Sequence, residues 1–579
     1  MAQIRFRTFI PAAFYLLVFA ALPALRAQQP VEPWAAPHFS VDPKTLYQAA
    51  SAVAAQDGTN AALLDEDHSY TFDEQGRIVH VAHFIYKILT EKGAEGWDQL
   101  SVGWEPWHEA RPEIRVRVIT PDFVEHPLDP KSITEAPARG GDYKSYSDGK
   151  RLDVPFPAIA AGVVVEEEYI TRETEPLFSQ GQVSEITFGL ERGPVQHSRL
   201  VLDAPASLPL RTGTLLLGDM KPVRTESNGR VTLTFDVPRL EGIETRDPNL
   251  PPDFARYPEV RFSSGTSWQA MAAEYSRIVD SHADAAAVKA VVDPLIKGKS
   301  SILEKETVIL DYLDREVRYT GIEFGEAAII PHEPAEVLSK RYGDCKDKAT
   351  LLVTMLRAAG IPSYVALLNA GARMDVPAEL PGMGLFDHAI VYVPGANTPA
   401  NPTFWIDATD RYARLGQLPI DDQGRLALIT RSETTALFKT PESTSTDNTV
   451  LELRDLTLNE NGPASILEKT QPAGVFESRY RSYYADKPDK DVREGLIGYV
   501  KNQYVADSLA SVDRTDPADL SRPFELDLTA DKVRRGYTGL DGAQAAIRLD
   551  SLFMRLPDDL RRKEETEEER KKAHPNDPP

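Results

Sequence analysis

Hydrophobic and polar residues alternate along much of the first half of the chain, which is the pattern of half-buried β-strands. The alternation is clearest at residues 114–118 and 231–237, and the second run follows an Asn228-Gly229 pair that is typical of a hairpin turn. Short strands separated by turn residues, with little helical periodicity, indicate sheets packed face to face. Residues 60–240 are therefore predicted to form a β-sandwich.

Apolar residues recur at helical spacing in the next part of the chain. Two helices are predicted at residues 268–279 and 302–315. A third begins at Cys345 and ends at Gly360, where a glycine and then a proline give the expected stop signal. Because short strand patterns follow this helix, residues 265–425 are predicted to form an α+β domain in which the helices come first.

Beyond this domain the pattern is mixed again. Residues 445–555 combine strand patterns with a helix and are predicted to form a mixed α/β C-terminal domain. Residues 556–579 alternate acidic and basic clusters with almost no apolar side chains, so this tail is predicted to be disordered. The expected fold class is therefore α+β and multidomain, with the β-sandwich first and the mixed α/β region last.

The N-terminus has the layout of an export signal. Arg5 and Arg7 precede an apolar stretch at residues 9–25, and Ala27 offers a cleavage site. Residues 1–27 are therefore predicted to be a signal peptide, which places the mature protein in the periplasm or outside the cell. An uncleaved membrane anchor is the alternative. The stretch is short and interrupted by proline, so no stable membrane insertion is expected after cleavage.

Charge narrows the range of partners. The 579 residues include 65 basic and 88 acidic side chains, which gives a formal net charge of −23. So acidic a field disfavours nucleic acid as a partner. The sequence contains no phosphate-binding loop, no dinucleotide fingerprint and no cluster of cysteine and histidine, so no cofactor and no metal ion is expected.

Cys345 is the only cysteine in the chain, so it can form no internal disulfide. It lies in the charged stretch Gly-Asp-Cys-Lys-Asp in front of its helix, where the positive end of the helix dipole stabilises a thiolate. Cys345 is therefore a candidate nucleophile, and a small buried packing residue is the alternative. Asp344 is the expected N-cap and Asp347 its capping-box partner. These two acids offset the positive charge of Lys346 and Lys348.

A cysteine nucleophile needs a base and a third group that orients the base. His388 begins one predicted strand and Asp407 ends another, both in the same predicted domain as Cys345. In this arrangement Nδ1 of His388 would donate to Asp407 while Nε2 faces the sulfur. Each residue also has a structural alternative, because a lone histidine on a strand is often simply hydrogen-bonded and an aspartate at a strand end often forms a turn. The order Cys-His-Asp with a single thiol favours a catalytic triad.

Residues 342–362, which begin Tyr-Gly-Asp-Cys-Lys-Asp-Lys-Ala, resemble the core of the bacterial transglutaminase-like superfamily. The segments Phe-Asp-His at His388 and Trp-Ile-Asp-Ala-Thr at Asp407 are similar to the histidine and aspartate segments of that family in order and spacing. The β-rich residues 60–240 resemble DUF3857, a domain that accompanies this core in exported bacterial proteins. The resemblance implies a papain-like thiol fold with a triad of Cys345, His388 and Asp407.

Two further positions matter to this resemblance. Related sequences often have asparagine where this chain has Asp387. The negative charge of Asp387 would raise the pKa of His388 if the two side chains were close, and the alternative is that the Asp387 side chain points to solvent. Tyr319 resembles an aromatic position often found before this core, which makes it a candidate oxyanion donor beside the backbone N–H of Cys345. A core tyrosine is the alternative interpretation of Tyr319.

The resemblance implies an exported thiol enzyme that cleaves or transfers an amide, in a peptide or a carboxamide, through a thioester on Cys345. Water as the acceptor would make it a protease or amidase, and an amine would make it a transglutaminase. The residues leave both outcomes open. The alternative is a non-catalytic cell-envelope binding or assembly module on a transglutaminase-like scaffold. The expected partners are a protein or peptide substrate and a cell-envelope protein.

Overall fold

The structure is a computed structural model, which describes residues 32–55, 58–138, 145–243, 253–396, 398, 401–485, 487–546 and 548. The predicted signal peptide (1–27) and the predicted disordered tail (556–579) lie outside the described residues. Among the residues that are described, no helix is both long enough and apolar enough to cross a membrane.

The first part of the chain is built almost entirely of strands. Its described residues include the α-helices α1 (Pro43–Ser51) and α2 (Glu91–Gly96). Its strands are β1 (Ala61–Phe72), β2 (Ile78–Ile88), β3 (Gln99–Trp104), β4 (Glu109–Ile119), β5 (Glu125–Pro127), β6 (Thr134–Pro137), β7 (Ser145–Ser147), β8 (Lys150–Pro155), β9 (Val164–Glu173), β10 (Val183–Thr187), β11 (Ser198–Pro205), β12 (Arg211–Leu215), β13 (Val223–Ser227), β14 (Arg230–Val237) and β15 (Glu259–Ser263).

Eight of these strands form one large sheet in the order β13-β14-β11-β1-β2-β9-β4-β5, in which β1 and β11 are parallel. Two three-stranded sheets, β10-β15-β12 and β3-β8-β6, pack against it through apolar side chains. Phe262 of β15 and Leu200 of β11 belong to one shared core, and Val154 of β8 and Val165 of β9 belong to another. In strands such as β8, β11 and β14 the alternation in the sequence thus places one side of the strand in a core.

The middle part of the chain combines helices with short strands, and its main sheet follows the helices in the sequence. The helices are α3 (Trp268–His282), α4 (Ala285–Ile296), α5 (Ile302–Glu316), α6 (Pro334–Lys340) and α7 (Cys345–Ala358). The strands are β16 (Arg318–Tyr319), β17 (Gly321–Glu323), β18 (Tyr342–Gly343), β19 (Tyr364–Leu368), β20 (His388–Val393), β21 (Phe404–Ile406), β22 (Leu426–Ile429) and β23 (Phe438–Lys439).

The helix α7 is the centre of this α+β part. It packs against β19 and β20 of an antiparallel sheet with the strand order β21-β20-β19-β22-β23. All residues from 346 to 356 are buried, so the helix is surrounded by protein over most of its length. Gly360, with a φ of +80°, follows the end of the helix and supplies the left-handed conformation that the sequence predicts there.

The C-terminal part forms a separate antiparallel sheet covered by helices. Its elements are β24 (Val450–Thr457), β25 (Gly462–Pro472), α8 (Val475–Ala485), α9 (Asp489–Tyr504), β26 (Ser508–Arg514), β27 (Leu526–Gly539) and β28 (Gly542–Ala545). The strand order is β24-β25-β27-β26, and β28 pairs with β27. Leu496 of α9 and Leu528 of β27 share its core. The chain is therefore the expected mixed α/β multidomain protein with a strand-rich N-terminal region.

Backbone hydrogen bonds join the β-rich part directly to the α+β part. The short strands β7 and β17, one from each part, pair in parallel. The Val183 N–H donates to the Met383 carbonyl at 2.8 Å, and the Met383 N–H donates to the Gly181 carbonyl at 3.1 Å. The segment at residues 381–384 is thereby held between the two parts of the chain.

Gly265 tests this junction, because a side chain has no room there. A Cβ atom on Gly265 would lie 2.0 Å from the Pro381 carbonyl oxygen, whereas one on Gly213 of the neighbouring β12 would come no closer than 3.8 Å to the atoms around it. Because a backbone carbonyl cannot swing aside, we expect Gly265→Ala to lower the free energy of unfolding by about 1–3 kcal/mol. Gly213→Ala should change it by less than about 0.5 kcal/mol. Thermal unfolding measures both, and equal midpoints would contradict the tight junction.

Candidate active site

Cys345 is the first residue of α7, and the cap of this helix positions it. The Asp344 side chain accepts a hydrogen bond from the Asp347 N–H at 3.1 Å, and the Asp347 side chain accepts one from the Asp344 N–H at 3.3 Å. The predicted N-cap and capping box are therefore confirmed. Cys345 is only partly buried, whereas residues 346–356 are buried. The first residue of the helix is therefore the one that is accessible from outside.

The two lysines of this first turn are engaged with other groups. The Lys346 ammonium forms an ion pair with Asp344, so its charge is offset as expected. Lys348 is buried and donates to the Val317 carbonyl at 3.0 Å. Burial lowers the pKa of Lys348, although nearby carboxylates, Asp314 first among them, oppose this effect. The positive charge that a thiolate needs must therefore come from elsewhere in the site.

His388 and Asp407 meet beside this helix end, on neighbouring strands. His388 is the first residue of β20, and Asp407 directly follows β21, which is antiparallel to β20. Nε2 of His388 lies 3.4 Å from Oδ1 of Asp407, and the two side chains are 15% and 5% exposed. Asp407 also accepts hydrogen bonds from the N–H of Thr409 at 2.8 Å and from its hydroxyl at 2.9 Å. Several donors therefore fix this buried carboxylate.

Electrostatics favour an imidazolium at His388. Burial by itself would lower the pKa of His388, but the Asp407 carboxylate and a hydrogen bond with Cys345 raise it well above its usual value. Burial also opposes the charge of Asp407, yet His388 and the donors of Thr409 hold its pKa below the usual range. The ring thus contacts Cys345 and Asp407 together, so the structure brings the three sequence-predicted residues into one site.

The orientation of the His388 ring corrects the sequence-based expectation. Nε2 faces Asp407, whereas we expected Nδ1 to make this contact. Asp407 lies one residue beyond Ile406, the last paired residue of β21. Nδ1 is then the nitrogen left for the sulfur of Cys345. The two ring nitrogens exchange the roles that we expected for them.

Asp387, where the chain departs from the family pattern, is engaged with other groups. Its carboxylate forms an ion pair with Nη2 of Arg373 at 2.9 Å and accepts a hydrogen bond from the Ala370 N–H at 2.8 Å. The Asp387 side chain is 37% exposed. Its charge is therefore balanced by Arg373 at the protein surface, next to His388 in the sequence.

Tyr319 lies beside the helix end but is not among the residues that line the cleft. In the short parallel pair of β16 and β18, Tyr319 is opposite Gly343. A tyrosine that does line the cleft is Tyr275 of α3, whose hydroxyl donates to the Ile329 carbonyl at 2.9 Å. Burial, and after it the charge of Cys345, raises the pKa of Tyr275. Sequence reasoning missed Tyr275 because it resembles an ordinary core residue of an amphipathic helix.

The cleft beside Cys345 has a volume of about 390 Å³ and is lined by both the β-rich and the α+β parts. The α+β part contributes residues on α3, α7 and β20 and the segment that precedes β20. From the β-rich part come Glu105, Trp107, His108 and Leu177. Sequence reasoning assigned no chemistry to the β-rich part, because charged residues along strands are usually solvated surface. One wall of the cleft was therefore missed.

A further acid, Asp422, lies behind the His388–Asp407 pair. It is 2% exposed, and its Oδ2 is 3.9 Å from Nε2 of His388. Burial and the negative charge of Asp407 raise the pKa of Asp422 to about 8. Sequence reasoning missed this residue because Asp421-Asp422 has the appearance of an ordinary polar turn.

Donor atoms of His388, Asp407 and Asp422 all lie within 4.8 Å of one another. Within the described ranges, this is the group of acidic and histidine side chains that is compact enough to hold a metal ion. A metal ion there would have to displace the proton that joins the ring of His388 to Asp407.

Two family profiles match the chain. Residues 74–244 match DUF3857, a domain of unknown function with a solved structure. Residues 289–391 match the transglutaminase-like superfamily. The chain joins a DUF3857 domain to a transglutaminase-like core. The resemblance noted in the sequence is therefore confirmed, and the β-rich wall of the cleft belongs to the DUF3857 domain.

One solved structure shares the fold of much of the chain. A crystal structure described as a "putative protease" from Parabacteroides distasonis aligns with a TM-score of 0.54 and 15% identity, covering 70% of this chain and 82% of that one. At this identity the likeness shows the fold alone.

Two other structures are less similar. A "putative cysteine protease" from Cytophaga hutchinsonii has 12% identity and a TM-score of 0.19, over 60% of this chain and 88% of that one. An M1 zinc metallopeptidase from Deinococcus radiodurans has 11% identity and a TM-score of 0.20, over 36% and 43%. Neither score supports an argument. No curated protein matches the sequence.

Asp407→Asn tests the buried pair. The substitution leaves the buried His388 without its counter-charge, so we expect it to lower the free energy of unfolding by about 3 kcal/mol near neutral pH. The pKa of Asp407 is lowered and that of His388 is raised. The loss should therefore shrink as the pH falls through the pKa of folded Asp407, and also as it rises through that of folded His388.

Asp387→Asn is the matched control for this experiment. It removes a neighbouring acid that is partly exposed and paired with Arg373, and such pairs contribute at most about 1 kcal/mol. Thermal unfolding across a pH series measures both variants. Equal losses in the two, or a loss at Asp407 that does not change with pH, would contradict the buried ion pair.

Proposed function

We propose that this protein is an exported thiol enzyme that cleaves or transfers an amide through a thioester on Cys345. One observation carries the proposal. Cys345, at the N-terminus of α7, contacts the same buried imidazole that Asp407 contacts at its other side. A nucleophile, a base and an orienting acid in this order are the requirements of a thiol enzyme.

The first half of the reaction follows from this geometry. The Cys345 sulfur, as thiolate, attacks the carbonyl carbon of the amide, and the negative charge moves to the carbonyl oxygen. The backbone N–H of Cys345, which has no acceptor within the helix because it is the first residue, can donate to that oxygen. His388 then gives its Nδ1 proton to the leaving nitrogen, the carbon–nitrogen bond breaks, and an amine leaves the thioester behind.

The second half regenerates the thiolate. The neutral ring of His388 takes a proton from the incoming water or amine, whose oxygen or nitrogen attacks the thioester carbon. The carbon–sulfur bond breaks, and the proton left on His388 restores the ion pair with Cys345. Asp407 keeps its negative charge throughout and holds Nε2 of the ring. Of the two acceptors we favour water, which makes the protein a protease or amidase.

The finer fold assignments belong to the same proposal. A papain-like core is supported by α7 packed on an antiparallel sheet whose adjacent strands β20 and β21 carry His388 and Asp407. A β-sandwich in the DUF3857 domain is supported by the two three-stranded sheets that pack on the large sheet. The protein from Parabacteroides distasonis, whose structure has a similar fold, is itself described as a "putative protease".

Export and partner are also part of the proposal. The pattern of residues 1–27 supports secretion or a periplasmic location. A protein or peptide is then the substrate that we expect, and a cell-envelope protein is a further expected partner. The net charge of −23 argues against nucleic acid.

The rate of Cys345 alkylation as a function of pH tests the proposal. An ordinary cysteine titrates near pKa ~8.5 and reacts slowly in acid, whereas a thiolate paired with an imidazolium reacts several pH units lower. We expect rapid alkylation of the purified protein below neutral pH, and His388→Ala should reduce that rate by about 100-fold because it removes the cation.

His282→Ala is the control, since His282 lies at the end of α3 in the same domain. It should leave the alkylation profile unchanged. Slow alkylation that does not depend on His388 would contradict the enzyme and would favour the non-catalytic binding module instead.

A further inference from the structure

Asp422 is a buried acid beside His388 that has no role in the mechanism described above. Asp422 ends a short 3₁₀ turn, Ile420–Asp422, and is 2% exposed. Its Oδ2 lies 3.9 Å from Nε2 of His388. That same oxygen is buried and accepts no hydrogen bond from any donor in the described residues. A buried, unpartnered carboxyl oxygen beside a catalytic ring calls for an explanation.

The backbone holds Asp422 in this place. Its own N–H donates to the Pro419 carbonyl at 3.1 Å, and its carbonyl accepts from the Thr440 hydroxyl at 2.5 Å. The carbonyl of the preceding residue, Asp421, accepts from the Gly371 N–H at 2.7 Å. The turn is therefore tied to segments on both sides, and Asp422 cannot swing into solvent without breaking these bonds.

Two carboxyl groups this close in a buried site cannot both be ionised. Asp407 receives hydrogen bonds from both donors of Thr409 and faces the imidazolium of His388. Oδ2 of Asp422 receives none. The charged groups around Asp422 are Asp407, His388 and, on its own turn, Asp421. Asp407 is therefore the better place for the single negative charge, and the proton belongs on Asp422.

We propose that Asp422 is a positioning residue that acts as a neutral carboxylic acid, donating its O–H to Asp407 and holding that carboxylate on Nε2 of His388. This proposal rests on the proposed function, because the group that it positions is the base of the thiol enzyme. The burial and charge that raise the pKa of Asp422 agree with this protonated state. An ionised Asp422 would instead compete with Asp407 for the Nε2 proton.

Three variants separate a proton donor from a packing residue. Asp422→Asn keeps an N–H donor of nearly the same shape and cannot ionise. Asp422→Ala removes the donor. Asp421→Asn makes the same substitution one residue earlier, at a side chain that is exposed. We expect Cys345 alkylation at about pH 6 to stay within about twofold of the wild type in Asp422→Asn and Asp421→Asn, and to fall by about tenfold or more in Asp422→Ala.

The pH dependence of thermal unfolding supplies a second readout that simple packing would not move. A raised pKa in the folded state means that stability is lost as the pH rises from the pKa of the unfolded acid towards that of the folded one, about 8 for Asp422. Asp422→Asn removes this loss. The melting temperature of Asp422→Asn should therefore increase relative to that of the wild type as the pH rises. The melting temperature of Asp421→Asn should have the same pH dependence as that of the wild type.

The outcomes are decisive in both directions. An Asp422→Asn variant that alkylates as slowly as Asp422→Ala, or an Asp422→Ala variant as fast as the wild type, would overturn the proposal. A melting difference between Asp422→Asn and the wild type that is flat with pH would also overturn it, even if Asp422→Ala fails to fold. If the wild-type thiol itself reacts slowly and independently of His388, the proposed function fails, while the melting comparison still decides whether Asp422 is protonated.

Discussion

The site depends on one buried imidazole that is shared by a thiol and a carboxylate. Taking charges out of water is costly, and burial opposes the charged forms of both His388 and Asp407. Their separation of 3.4 Å and the two donors of Thr409 outweigh that cost. The elements around the ring bring these groups together. The capped start of α7 presents the thiol, the strands β20 and β21 bring the ring and the carboxylate side by side, and the turn at Asp422 closes the site from behind.

The cleft in which this ring lies is a joint product of two domains. The DUF3857 domain contributes one wall through Glu105, Trp107 and His108, and the transglutaminase-like core contributes Cys345 and His388. Backbone hydrogen bonds across the junction hold the cleft-lining segment around Met383. A glycine at position 265 is needed there because a backbone carbonyl approaches where a Cβ atom would lie. The DUF3857 domain is thus part of the architecture of the site, and the access of any substrate to Cys345 depends on both domains.

Local signals in the sequence were sufficient for the parts of the site that local physics determines. The capping box at Asp344 and Asp347 follows from residue spacing alone, as does the stop of α7 at Gly360. The prediction of which ring nitrogen of His388 faces Asp407 was wrong, because the orientation of the ring depends on where the fold places the Asp407 carboxylate. Asp422 and Tyr275 were not found, because a turn acid and a helix tyrosine have no distinguishing pattern until the fold brings them to the cleft. The cleft wall from the DUF3857 domain was missed for the same reason, since its residues are distant from Cys345 in the sequence.

The protonation state of His388 in the intact protein tests the central claim most directly. NMR of ¹⁵N-labelled histidine, with the His388 signal assigned by its loss in a His388→Ala variant, reads whether both ring nitrogens carry a proton. Because Asp407 and Cys345 raise the pKa of His388, the ring should be doubly protonated at neutral pH. A ring that is neutral there, or that titrates at or below the ordinary histidine pKa of about 6.5, would contradict the shared imidazole and leave Cys345 without its cation.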